Sequence, residues 1–326
     1  MKKIFKFIGI LLGVLILAVL AGITYVKTAM PNTGDPETLT IALTPQRIER
    51  GAYLANHVTV CIDCHSTRDW SKFAGPLTGK DLGSGGEKFD PNMGFPGTIY
   101  ARNITPYSLK SWTDGEVFRA VTTGVSKDGS PLFPLMPYHS YGKMDKEDVL
   151  SIIAYLRTLK PVENQIPEPS LDFPINILVN TMPAPATFTT IPDTSDVLAY
   201  GEYLIGAASC VDCHSQKDKG NNIPGTEFGG GMEFKQPAGI VRSANITMDK
   251  ETGIGSWTKE SFVQRFKAYA DTNYHSPNMT PNDLNTPMPW VMYAGMKKSD
   301  LEAIYTYLSS LAPKKHLVAK YEKSAK

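Results

Sequence analysis

The sequence has almost no net charge and very little cysteine. Its 33 Lys and Arg residues are balanced by 32 Asp and Glu residues, which leaves a formal net charge of +1. A nucleic-acid-binding protein needs a basic excess to neutralise phosphates, so the composition argues against that class. Four cysteines in 326 residues are too few for a disulfide scaffold. A content of 42% hydrophobic residues also excludes a disordered chain.

One long apolar run lies at the amino terminus. Twenty uncharged residues, 7–26, separate Lys6 from Lys27. A helix of this length spans about 30 Å, the thickness of a bilayer hydrocarbon core. Val19-Leu20-Ala21 could serve as a signal-peptide cleavage site, but it lies inside the run rather than after it. We therefore expect an uncleaved, single-pass anchor in the cytoplasmic (inner) membrane. The positive-inside rule then places the bulk of the chain on the periplasmic side.

The chain repeats itself once. Its first Cys-x-x-Cys-His motif, at 61–65, returns at 210–214, and other segments return in the same order. These pairs are Gly51 with Gly201, Asn103-Ile104-Thr105 with Asn245-Ile246-Thr247, Ser111-Trp112-Thr113 with Ser256-Trp257-Thr258, and Met136-Pro137 with Met288-Pro289. Ordered matches over this length indicate a tandem duplication of one domain, with extra residues in the second copy at 273–285.

The duplication divides the chain into five parts. We predict a membrane anchor and tether at 1–40, a first domain at 41–160 and a second domain at 196–312. Residues 161–195 contain seven prolines and are predicted to be a linker, because Pro removes a backbone donor and favours extended structure. Residues 313–326 form a lysine-rich tail that is expected to be solvated and frayed.

Each domain is predicted to begin and end with a helix. Thr44 before Pro45 is typical of an N-cap followed by the first helical residue. Apolar residues at helical spacing predict closing helices near 149–159 and 301–311, the second opened by a capping box at Ser299. The Gly-rich segments between the helices bury too little apolar surface alone. Something other than side chains is therefore expected to fill each core.

The two Cys-x-x-Cys-His motifs use every cysteine in the chain. Thiols one helical turn apart can add to the two vinyl groups of a haem, while the adjacent His faces the iron, and this spacing is typical of c-type haem attachment. The motif residues are Cys61, Cys64 and His65 in the first copy and Cys210, Cys213 and His214 in the second. We predict two covalently bound haem c groups, attached through the four cysteines and ligated by the two histidines.

Three other uses of the cysteines stay open at this point. A thioredoxin-like redox pair would need a βαβ context, which the pattern does not show. A structural zinc site would use all four cysteines or add His pairs at metal spacing. Disulfides within the two motifs are compatible with an exported protein but leave both histidines unexplained.

Met136 and Met288 are the predicted second axial ligands of the two irons. Each is followed by Pro and precedes the closing helix of its domain by about a dozen residues. A thioether suits haem iron, and Met/His ligation raises the reduction potential, although core filling is the commoner role of Met. The competing ligands are Met144 and His139 in the first copy and Met279, Met292, Met296 and His275 in the second.

Both halves resemble class I cytochrome c domains. The runs Asn-Ile-Thr, Ser-Trp-Thr and Met-Pro-aromatic resemble the cytochrome c subunits of membrane-bound alcohol and gluconate dehydrogenases. The resemblance covers about 41–160 and 196–312. It implies an all-α fold with two tandem class I cytochrome c domains behind an N-terminal transmembrane helix. Those subunits usually carry three haem domains, whereas this chain has two.

The resemblance also implies particular contacts. Gly51 of the first helix is expected to pack against Tyr155 of the last, with Gly201 and Tyr307 equivalent. Four further side chains are candidates to approach haem propionates or to have a purely structural role. They are Trp112, Trp257, Arg102 and Arg242.

The predicted function is electron transfer. Each iron would have two protein ligands, which leaves no coordination position for a substrate. The expected partners are a dehydrogenase-type donor and a respiratory acceptor, either a terminal oxidase or another cytochrome. The alternative is a di-haem oxidoreductase, a peroxidase or a thiosulfate dehydrogenase-like enzyme, with one open or unusually ligated haem; His275 in place of Met288 would favour it. A purely structural anchor would leave two redox centres without a purpose.

Overall fold

The computed structural model describes residues 2–324. Met1, the first residue of the expected anchor, and 325–326, the end of the expected tail, lie outside the described residues. Lys2–Ala29 forms one long helix, α1, which is exposed along nearly its whole length. Within residues 2–324 it is the one helix long and apolar enough to cross a membrane, with a mean hydropathy of 2.8. Its length and composition fit a membrane anchor.

The first half of the remaining chain begins and ends with helices, as expected. Its elements are α2 (Pro45–Tyr53), α3 (Cys61–Cys64), β1 (Lys88–Phe89), β2 (Gly97–Tyr100), α4 (Pro106–Leu109), α5 (Asp114–Thr123), α6 (Tyr138–Tyr141) and α7 (Lys146–Thr158). A π-helical turn, Leu54–Val58, extends α2, and a 3-10 turn, Pro91–Met93, separates the two strands. The predicted cap is confirmed, because the Thr44 side chain accepts a hydrogen bond from the Arg47 N–H.

After a connecting segment, the second half follows a similar order, with no helix equivalent to α4 and with three additional strands among the described residues. The connection holds β3 (Ser170–Leu171), α8 (Ile175–Leu178) and a 3-10 turn, Val179–Thr181. The second half contains α9 (Val197–Ala207), α10 (Cys210–Cys213), β4 (Lys217–Asp218), β5 (Asn221–Asn222), β6 (Glu233–Gln236), β7 (Gly239–Arg242), α11 (Lys259–Lys267), α12 (Trp290–Tyr293), α13 (Lys298–Ser310) and β8 (Tyr321–Lys323). The predicted capping box at Ser299 is wrong: α13 begins at Lys298 without a side-chain cap.

Within residues 2–324, three small antiparallel sheets accompany the helices. Their strand orders are β1-β2-β3, β4-β5 and β6-β7-β8. The prediction of a helical fold is confirmed for the main elements, but it did not include these sheets. Within the described residues the tail is solvated as expected, but the expectation of a frayed tail is wrong, because β8 pairs with β7 and the Arg242 guanidinium bridges to Glu322 and to the Ala319 carbonyl. The tail covers a strand edge that would otherwise be unpaired.

Two glycines allow the first and last helices of each half to touch. A Cβ on Gly51 would lie 1.8 Å from a carbonyl oxygen of α7 and 2.9 Å from Tyr155 Cβ. A Cβ on Gly201 would lie 2.1 Å from a carbonyl oxygen of α13 and 3.1 Å from Tyr307 Cβ. Both expected helix contacts are confirmed, and at both a side chain would push the helices apart.

The two halves meet through a pair of matched tyrosine contacts. The Tyr53 hydroxyl donates to Asp300 Oδ2 at 2.6 Å and accepts from the N–H of Lys297, which caps α13, at 3.0 Å. The Tyr203 hydroxyl donates to Asp148 Oδ2 at 2.6 Å and accepts from the N–H of the residue that caps α7 at 3.2 Å. Both aspartates are buried. Each half therefore presents its first helix to the last helix of the other.

The extra residues of the second half, 273–285, form another contact with the first half. Asn285 Oδ1 accepts from the Ala74 N–H, and Asn285 Nδ2 donates to the Lys72 carbonyl, both at 2.8 Å. Two backbone hydrogen bonds of 2.7 and 2.8 Å lie beside them. We call this contact the clasp; it has no counterpart in the first half because the first half lacks the extra residues.

We expect Tyr53→Phe to lower the free energy of unfolding by about 1–3 kcal/mol, the range for a buried polar group that loses its partner. Within residues 2–324, Asp300 would keep one hydrogen bond, from the Ser299 hydroxyl at 3.1 Å, and it forms no ion pair that would compensate. Tyr203→Phe is the matched control, with a smaller expected loss, because Asp148 keeps two hydrogen bonds from Arg50, at 2.7 and 2.8 Å. Urea unfolding followed by circular dichroism measures both. A larger loss for Tyr203→Phe would contradict this account.

Candidate haem sites

Both Cys-x-x-Cys-His motifs adopt the same local backbone. The residue before each motif is left-handed, with φ of +47° at Val60 and +53° at Ser209. This conformation is costly for a β-branched residue, and such strain is concentrated at functional sites. One helical turn, α3 or α10, follows and places the two thiols of each motif one turn apart. The backbone therefore holds each cysteine pair in the arrangement that the sequence predicts.

Each motif histidine is oriented by a backbone carbonyl. His65 Nδ1 lies 2.6 Å from the Arg102 carbonyl oxygen, and His214 Nδ1 lies 2.7 Å from that of Ala244. A hydrogen bond from Nδ1–H leaves the lone pair on Nε2 free to bind a metal and fixes the direction of the ring. Burial also lowers the pKa of both imidazoles, which favours the neutral, ligating form.

None of the four cysteines forms a disulfide, and their environment does not activate the thiols. Burial raises the pKa of the Cys61 thiol and raises that of Cys210 to about 12. A redox-active cysteine pair needs the opposite shift, because the thiolate is the reacting species. No cluster of three or more His, Cys, Asp or Glu side chains with metal-binding geometry occurs between residues 2 and 324. These findings disfavour the redox-pair, disulfide and zinc alternatives.

One large cavity joins the two motifs. Its volume is about 3520 Å³, several times the roughly 300–1,000 Å³ of ordinary ligand pockets. All eight candidate residues line it: Cys61, Cys64, His65, Met136, Cys210, Cys213, His214 and Met288. Its apolar walls repeat between the halves, with Trp112, Ile152 and Leu156 in the first and Trp257, Ile304 and Leu308 in the second. The volume, the apolar walls and the oriented histidines fit a large, flat, apolar cofactor in each half.

The two candidate methionines lie in the same kind of turn. The N–H of Tyr138 donates to the Met136 carbonyl at 2.7 Å, and the N–H of Trp290 donates to the Met288 carbonyl at 2.8 Å. The intervening prolines have φ and ψ of −77° and +57° in one turn and −80° and +61° in the other, the values of an inverse γ-turn. The local structure around Met288 thus matches that around Met136 despite the extra residues that precede it.

The structure separates the competing ligands into two groups. Met144, Met292 and His275 are not among the residues that line the cavity. The others do line it: His139, Met279 and Met296. Met296 is fully buried core, and the backbone of Met279 is held in the clasp by the Ser71 carbonyl.

Four side chains were candidates to approach haem propionates, and they differ in the partners they already have. Trp112, Trp257, Arg102 and Arg242 all line the cavity. The Arg102 guanidinium pairs with Glu168, and that of Arg242 pairs with two glutamates, so both arginines already have carboxylate partners.

Sequence reasoning missed Arg68, whose guanidinium pairs with Asp63 of the first motif at 3.0 Å and stacks on Trp70. Both charged side chains are only 6% exposed. A buried pair of this kind needs both partners, because either charge alone is costly in a dry site. The sequence signal was an Asp inside the motif followed by an Arg five residues later.

Comparison with known proteins shows which proteins the chain is similar to. No family model matches the chain. The cytochrome c subunit of alcohol dehydrogenase (quinone) from Gluconacetobacter polyoxogenes is 28% identical over 301 residues, which cover 88% of this chain and 59% of that subunit. The gluconate 2-dehydrogenase cytochrome c subunit of Pantoea cypripedii is 28% identical over 284 residues, covering 82% and 60%. The chain is similar to cytochrome c subunits of dehydrogenases.

A diheme c-type cytochrome of Cereibacter sphaeroides is also similar, at 27% identity over 215 residues that cover 63% of this chain and 68% of that protein. The chain spans about 60% of the length of the dehydrogenase subunits it matches. The predicted resemblance is confirmed, and it implies covalently bound haem c and a role in electron transfer.

Proposed function

We propose that the chain is a membrane-anchored di-haem electron-transfer subunit. Its anchor and tether occupy 1–40, and two class I cytochrome c domains occupy 41–160 and 196–312. Residues 161–195 connect the domains, and 313–326 are the lysine-rich tail after the second domain. One observation carries the proposal: the same motif, oriented histidine and methionine turn occur in both halves around one cavity.

The residues of each half have distinct roles at the proposed site. Cys61 and Cys64 would attach one haem and Cys210 and Cys213 the other. The iron ligands would be His65 with Met136 and His214 with Met288. A bound haem c supplies a one-electron couple. The Arg102 and Ala244 carbonyls fix the imidazole rings, and the apolar walls exclude water, which tunes the potential through the local dielectric.

The partners follow from the relatives and from the anchor. Relatives are named as subunits of dehydrogenases, so we assign a dehydrogenase as donor and a terminal oxidase or another cytochrome as acceptor. Because lysines precede the apolar run, the positive-inside rule assigns the amino terminus to the cytoplasm and the two domains to the periplasmic side. A cavity lined by both halves supports entry of an electron in one half and exit from the other.

An optical redox titration of the full chain in lipid nanodiscs, produced with c-type haem maturation, tests this function. We expect two covalent low-spin haems and the weak near-infrared band of Met-ligated ferric haem at two-haem intensity. A high-spin haem, or rapid carbon monoxide binding by the reduced protein together with peroxide turnover, would favour the di-haem enzyme instead.

A further inference from the structure

Two large apolar side chains are exposed beside the membrane helix. Phe173 is 77% exposed and Leu178 is 45% exposed. Both belong to residues 172–181, which comprise α8 and its flanking turns and which we call the shelf. Single exposed apolar residues are common on soluble surfaces, and these two are distinguished by their position beside α1.

The shelf packs on one end of α1. Both α8 and the 3-10 turn that follows it contact α1. Ile23 and Val26 are half-buried, whereas the other described residues of α1 are exposed, and a spacing of three places both on one face of the helix. They lie in the last turns of the apolar run, just before Lys27. The shelf is thus attached at the depth where the hydrocarbon core ends.

The surroundings of the contact have the character of a membrane–water boundary. Tyr25 is 64% exposed at the same level of α1, and aromatic side chains concentrate at the headgroup region. Asp172 is exposed at the start of the shelf, so the segment suits the interface rather than the hydrocarbon core. Apolar side chains on short segments of this kind enter the boundary of headgroups and acyl chains.

The opposite side of the shelf belongs to the large cavity. Ile175 and Met182, the latter immediately after the shelf, line the cavity wall. The Asp172 N–H donates to the Pro96 carbonyl at 3.0 Å, and β3 just before it pairs with β2. The shelf is therefore fixed to the first half on one side and to α1 on the other.

We propose that the shelf rests on the lipid bilayer, with Phe173 and Leu178 inserted at its surface. This inference rests on the proposed anchoring by α1. Insertion of the shelf holds the first half in one orientation, with the cavity wall at Ile175 directed toward the membrane. The occupant of the apolar surface is lipid, because the shelf is continuous with the helix that crosses the bilayer.

The test uses three single-cysteine variants of the full holoprotein in nanodiscs of phosphatidylethanolamine and phosphatidylglycerol. With both haems of the proposed function attached, the native cysteines are in thioether bonds, so the parent chain takes no label. Phe173→Cys reports on the shelf, Leu15→Cys on the middle of α1, and Leu198→Cys on a surface outside the shelf. The rate of reaction with a charged maleimide is measured for each. Unchanged haem spectra show that each variant is folded.

We expect Phe173→Cys to react about tenfold more slowly than Leu198→Cys, because a thiol in lipid does not ionise. Leu198 is 46% exposed and Phe173 is 77% exposed, so shielding by protein alone would give the opposite order. Reaction of Phe173→Cys as fast as Leu198→Cys, with Leu15→Cys unreactive, would overturn the shelf but leave the anchor in place. A reactive Leu15→Cys would overturn the anchor and the shelf together.

Discussion

Gly201→Ala is expected to lower the free energy of unfolding by about 3 kcal/mol, the upper part of the range for an overpacked core. The added Cβ would lie 2.1 Å from a backbone carbonyl oxygen of α13, far inside van der Waals contact. Backbone cannot rotate away as a side chain can, so α9 and α13 have to separate. The same helices carry Tyr203 and Asp300, so the loss extends to the contact between the halves.

Gly206→Ala is the matched control on the same helix. A Cβ at Gly206 meets nothing within 4 Å, and the residue is exposed near the end of α9. Replacing a helical Gly by Ala there is expected to raise stability by about 0.5 kcal/mol. Urea unfolding of both variants, followed at 222 nm and through haem absorbance, gives the comparison. Destabilisation of similar size in both would show that the close approach at Gly201 is not the cause.

Met136→Ala is expected to keep both haems but to lower the reduction potential of one of them by roughly 0.1 V or more, since axial ligands set potentials over about 0.8 V. The near-infrared band should fall to half its intensity, and the reduced variant should bind carbon monoxide at one iron. The reason is that the Met136 thioether would be the iron ligand in the first half. A potentiometric titration with optical detection measures the potential and the band, and spectra of the reduced variant with added carbon monoxide measure the binding.

Met144→Leu is the control for this experiment. Met144 is 2% exposed and lies in the same half, but it does not line the cavity. We expect an unchanged potential and an unchanged band, because Leu fills a similar volume in the core. If Met136→Ala left the spectrum as it was, the assignment would pass to His139, which also lines the cavity. Met288→Ala against Met292→Leu repeats the comparison in the second half.

The features that sequence could predict are those encoded over a few neighbouring residues. Thr44 and Pro45 open α2 because capping is local. The two motifs could be recognised because thiol spacing and an adjacent His are fixed by one helical turn. Gly51 was assigned its packing partner from the family resemblance, and the absence of a Cβ there is what the close helices require.

The features that could not be predicted depend on distant pairing. Strands of two to four residues, such as β3 and β8, carry too little pattern to be recognised without their partners. The alignment of the two copies shows that Tyr53 and Tyr203 are equivalent, but it does not show that each reaches an Asp of the other half. The packing of the shelf could not be predicted for the same reason. A Pro-rich sequence indicates a linker, but it does not indicate which elements the linker contacts.

The matched tyrosine contacts have one more consequence. A contact in which each side offers the same donor and the same acceptor is isologous, the kind that closes a two-fold symmetric dimer. Each half contains both members, a Tyr on its first helix and an Asp on its last. The chain thus has the organisation of a homodimer joined into one polypeptide, whose pairing does not depend on concentration. Joined subunits can also diverge, and the clasp, present on one side only, is such a divergence.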